Sequence, residues 1–135
     1  MDGAVGGGVP DGPMRVEDIR LDPERFEMLE PARIDLARAR TPDEVAAALE
    51  RRFSPAEPTE GAFEDRTHLL TDPGGGVTAI YTATGLADDA VRAEQIVLEA
   101  EPRPGGGYAV RALGRRWRCW RGDVDPRAWT THRCP

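Results

Sequence analysis

The chain of 135 residues has no lysine and no asparagine, one serine, two cysteines and two histidines. Each shortage excludes something. The only serine, Ser54, stands at a helix end beside Pro55, without the strand-to-helix elbow that activates a nucleophile. Two cysteines cannot make the paired Cys-x-x-Cys knuckles of a structural zinc site. Absence of lysine, beside abundant alanine, glycine, proline and arginine, is the mark of a GC-rich genome, so arginine content alone does not argue for nucleic-acid binding. No run approaches the roughly 18 apolar residues that cross a bilayer, so no membrane is expected. The opening MDGAVGGGVPDGP lacks the basic and apolar regions of a secretory signal. It predicts a cytoplasmic chain, or an exported one if this is a fragment and Cys119 and Cys134 are bridged.

What is present is unevenly placed. The net charge is −6 and the pI about 5.0, yet acids dominate the first half and arginines the last 28 residues, 108–135. Such asymmetry steers a partner or lets two copies associate, or it simply solvates a surface. All three tryptophans and both cysteines fall in the segment GGGYAVRALGRRWRCWRGDVDPRAWTTHRCP. Large aromatics carry the most buriable area per residue, so this terminus is expected in the core.

Residues 1–13, rich in glycine and proline, predict a disordered leader. Residues 14–40 predict a partly ordered segment, with a short helix beginning at Asp22-Pro23-Glu24 and stopped by Pro31. Thr41 begins the clearest element. Thr41 caps, Pro42 suits the first helical position, and Glu44 completes a capping box; Val45, Ala48, Leu49 and Phe53 then form one apolar stripe. Beyond it, Phe63–Leu70 and Val77–Thr84 around DPGGG read as a hairpin. Residues 90–101 have helix-forming composition but alternate at Ile96, Leu98 and Ala100, and the PRPGGG turn favours a second hairpin. In the last strand, a bulge near Gly114 would bring Trp117 and Cys119 onto the face of Tyr108 and Val110 and turn Arg116 and Arg118 to solvent. The expectation is one α+β domain over 41–135, a main helix packed on a four-stranded antiparallel sheet.

This order of helix, hairpin and hairpin resembles the cystatin-like and NTF2-like group, which implies a curved sheet wrapped around a helix. The ending WRCWRG, followed by Trp-Thr-Thr and a final Cys, is similar to small uncharacterised proteins of high-GC bacteria, a likeness that covers the last quarter of the chain and implies no activity. Cysteine-terminated tails of this kind imply life outside the cytoplasm and hence a Cys119–Cys134 bridge; the missing export signal favours two thiols, and both readings stay open.

Among candidate sites, Cys119, His132 and Cys134 with Asp123 or Asp125 could in type hold zinc, but the spacing is not that of a zinc motif, and neither metal nor cofactor is expected. His68, near Glu64 and Asp65, is the single catalytic candidate, weighed against a solvated strand face shared with Glu64 and Arg66. The run RRWRCWR interleaves arginine and tryptophan as a single-strand platform does, but the acidic balance of the whole argues against nucleic acid. Arginine and tryptophan are also the residues most enriched at interface hot spots. The leading expectation is therefore a non-enzymatic protein-binding or self-associating domain that uses Arg116, Arg118 and Trp120; the alternative is an NTF2-like pocket around His68 and Tyr81 that binds a small ligand or supports weak catalysis.

Overall fold

The computed structural model describes residues 19–55, 63–86, 90–122 and 125–135; the leader of residues 1–13 lies outside them. Five antiparallel strands form one sheet in the order β1-β5-β4-β3-β2. They are β1 Glu27–Met28, β2 Glu64–Thr71, β3 Val77–Thr84, β4 Val91–Pro102 and β5 Tyr108–Cys119, and one α-helix, α1 Pro42–Phe53, precedes β2. The expected four-stranded sheet governed by a main helix is thus corrected: the sheet has a fifth strand and carries most of the regular structure, and α1 covers only part of one face.

The helix forms for the local reasons its sequence supplies. Thr41 Oγ1 accepts the Glu44 N–H at 3.2 Å, while the Glu44 carboxylate reaches back to the Arg40 N–H, one residue outside the standard capping box. Val45 and Leu49 are fully buried and Ala48 and Phe53 pack beside them. They meet Val77, Ala79, Tyr81, Ile96, Leu98 and Leu113 of the sheet.

The helix expected from Asp22 to Pro31 does not form, and the short helical piece of this segment is instead a single 3-10 turn, Pro31–Arg33. The Asp22 carboxylate accepts the N–H groups of Glu24 and Arg25 at 2.9 and 3.1 Å, but only a turn follows. The chain then extends into β1, opposite Arg115 and Gly114. The unpaired edge of β5 explains this, because a bare strand edge leaves backbone groups unsatisfied. Three chain segments cover that edge: Leu36 O accepts from Tyr108 N, β1 pairs with Gly114 and Arg115 and the following Leu29 N donates to Leu113 O, and Thr130 exchanges both backbone bonds with Trp117.

The bulge in β5 falls at Arg111, not near Gly114: Glu99 opposes Ala112 and Ala100 opposes Val110, so Arg111 is the extra residue. Gly114 answers a different demand. A Cβ there would lie 2.6 Å from Leu21 Cδ2 and 2.9 Å from Phe26 Cβ, so only glycine admits the N-terminal segment onto the sheet. Ile19, Phe26, Ile80 and Val97 bury together on this second face, with Leu21 beside them.

Candidate functional site

After the Arg111 bulge, Leu113 and Trp117 share the helix-side face of β5 and Arg116 and Arg118 take the opposite one, as alternation requires. The expectation that both arginines meet solvent is corrected: Arg116 is 6% and Arg118 8% exposed. Their cover comes from distant parts of the chain. The Arg116 guanidinium lies 4.3 Å from the Phe26 ring centre and 4.8 Å from that of Trp129, and the Arg118 guanidinium lies 3.8 Å from the Trp129 ring. Ring and cation thus alternate as Phe26, Arg116, Trp129, Arg118, each contact within cation–π range. Arg116 Nε donates to Gln95 Oε1 at 2.8 Å, and Gln95 Nε2 donates to Thr82 Oγ1 at 2.9 Å. This cross-strand row satisfies a polar side chain that burial would otherwise penalise.

Trp120 is placed differently. It follows β5, is 56% exposed, and its N–H donates to Ala90 O at 3.0 Å. A second bulge orients its neighbour. Val91 opposes Cys119 and Ala93 opposes Arg118, leaving Arg92 as the extra residue of β4. Its guanidinium stands 5.2 Å from the Trp120 ring and donates to Pro126 O at 3.0 Å. Bulges re-aim side chains in this way, and nothing in the local sequence marks Arg92 for the role.

The last eleven residues complete the site. Asp125 organises a turn by accepting the Arg127 N–H at 2.8 Å and pairing with its guanidinium at 3.1 Å, which lowers the pKa of this exposed carboxyl below its ordinary range. Trp129 then enters the stack, Thr130 pairs with Trp117, and Cys134 is bonded to Cys119, with Cα atoms 5.4 Å apart. The bridge consumes both thiolates on which the zinc alternative depended. Asp123, its other possible acid, lies outside the described residues, and His132 is exposed.

His68 and Tyr81 are not brought together. His68 opposes Ile80 and shares its sheet face, whereas Tyr81 opposes Thr67 and is buried on the helix side. Its hydroxyl donates to Asp65 Oδ2 at 2.9 Å, and burial, then this carboxylate, hold its pKa well above the usual phenol value. The two side chains therefore stand on opposite faces of the sheet. Trp129, Phe26, Gln95 and Arg92 are the participants that sequence reasoning missed; only Trp129, an aromatic in the cysteine-bounded tail, had a visible signal.

No family model matches the chain, and neither the curated proteins nor the solved structures contain a match. Among the described residues no helix is long and apolar enough to cross a membrane.

Proposed function

We propose that the protein is a non-enzymatic interaction domain whose contact surface centres on Trp120 and Arg92. The supporting observation is one large, half-exposed aromatic held on a rigid base. Its strand end is bonded through Cys119 to Cys134, its N–H is tied to Ala90, and its ring is flanked by a guanidinium that a bulge presents. Tryptophan and arginine supply most hot-spot energy because they bury large areas with few free rotors. Arg116 and Arg118, buried against Phe26 and Trp129, form no part of that contact surface.

The test places a photo-crosslinking side chain at Arg121, exposed next to an intact Trp120, and, as a control, at Leu70, an exposed apolar residue on the far edge strand. A saturable adduct is expected from position 121 alone, whether with another protein or a second copy. Excess wild type should compete it away, and Trp120→Ala should compete at least roughly 30-fold less well, the scale of a tryptophan hot spot. Equal competition by Trp120→Ala would remove the basis of the reading.

A further inference from the structure

The tail is fastened to a body that does not need it. Both apolar clusters are complete without any residue beyond Leu113. Among the described residues, 125–135 are held by a backbone bridge at Thr130, the Arg92 bond to Pro126 O, insertion of Trp129 between two guanidinium groups, the attraction of Arg133 to Glu94, and the Cys119–Cys134 bond. Only the last is covalent. It joins one sulfur at the buried end of the central sheet to a half-buried one in the penultimate residue.

We propose that this bridge is a redox clasp. A dithiol reductant attacks the more accessible sulfur, that of Cys134, through its thiolate; the Cys119 sulfur leaves as a thiolate and takes a proton, and the reductant's second thiol closes on the mixed disulfide to release Cys134 as a thiol. Two electrons and two protons pass to the protein, and the reductant ends as its own disulfide. The tail then leaves the sheet, Trp129 withdraws from Arg116 and Arg118, and a buried basic strip on β5 becomes exposed while the sheet and α1 remain folded. This release is a property of the tail and holds whether or not Trp120 meets a partner.

Full-length protein is followed by amide hydrogen exchange before and after dithiothreitol treatment, with thiol counting to confirm that two thiols appear. Exchange in 125–135 and at Trp117 should accelerate on the order of a hundredfold, the scale set by the closure entropy of a 15-residue loop, while the amides of α1, β3 and the centre of β4 keep their protection. Cys134→Ser should reproduce the reduced pattern without reductant, and brief quenching with excess iodoacetamide should trap the mixed disulfide on Cys134 with Cys119 alkylated. Two outcomes overturn the proposal: a fully reduced protein whose tail stays as protected as before, or loss of protection throughout the sheet, which would make the bridge a global staple. Trapping the mixed disulfide on Cys119 would overturn the direction of attack.

Discussion

The two faces of the sheet are covered in opposite ways. On one, α1 brings a contiguous apolar stripe against side chains contributed by β3, β4 and β5. On the other, the N-terminal segment before β1 supplies Ile19, Leu21 and Phe26, and the last residues supply Trp129, so that four buried apolar residues give way within one strand to a stack of arginines and rings. The helix face distributes its stability over many similar contacts. The second face concentrates it, because Phe26 belongs both to the apolar cluster and to the stack. Burial of arginine under aromatic rings holds a shape at the cost of desolvation that an aliphatic core avoids. The face carrying that cost is the one on which Trp129 of the bonded tail is seated.

Replacement of Phe26 gives the largest expected effect. Phe26→Ala should destabilise by about 3–5 kcal/mol, as deletion of a buried ring does, measured as a shift in urea midpoint. Leu49→Ala, its counterpart beneath the helix, should cost about 2–5 kcal/mol. The comparison turns on a second readout: near-ultraviolet circular dichroism of the tryptophans should change for Phe26→Ala, through loss of order at Arg116 and Trp129, and should stay native in Leu49→Ala below its transition. Equal spectra would mean that the stack does not depend on Phe26. A smaller effect follows from the close approach at Gly114. Gly114→Ala should cost about 1–3 kcal/mol, the range for overpacking, since its methyl group would press on Leu21 and Phe26; an unchanged midpoint would show that the second-face cover moves aside without loss.

How much of this was legible in the chain depended on the distance over which each feature is determined. Thr41, Pro42 and Glu44 define a helix start within four residues, and the DPGGG and PRPGGG turns with their alternating flanks define β2 to β5, so those elements could be read locally. Alternation also put Arg116 and Arg118 opposite Trp117. Their burial could not be read, because Phe26 and Trp129 arrive from opposite ends of the chain. Gly114 drew notice as a site of irregularity, yet what demands glycine there is the close approach of Leu21 and Phe26, carried by a segment whose Glu27 pairs with Arg115 across 88 residues of sequence, rather than the course of the strand itself. The two-residue β1 has no periodicity to detect; it exists because an edge needs cover. At the candidate site, Trp120 was visible as one aromatic more than the core required, whereas Arg92 depends on a bulge whose position only the paired register reveals.

The helix-side face carries a partly buried carboxylate of its own, Glu94, and it yields the smallest but sharpest test of the contrast. Glu94 opposes Trp117 across the ladder, and Arg115, 4.0 Å from its carboxylate, also lies over the Trp117 ring at 5.0 Å. Burial raises the pKa of Glu94, and the opposing pull of Arg115, a hydrogen bond from Trp117 and the charge of Arg133 do not cancel it. A carboxyl easier to protonate folded than unfolded makes stability greatest below the unfolded glutamate value, lost as pH rises through the folded one, and level above it. Glu94→Gln carries no such charge. Its stability relative to wild type should therefore climb as pH increases from about 4 and flatten once wild-type Glu94 is ionised, read from urea midpoints at successive pH values. A difference that falls with pH would show that pairing with Arg115 outweighs burial, and that ionic contacts stabilise both faces alike. A climbing difference leaves the arginine stack as the feature that sets the second face apart, since there two nearly fully buried guanidinium groups share one ring, that of Trp129.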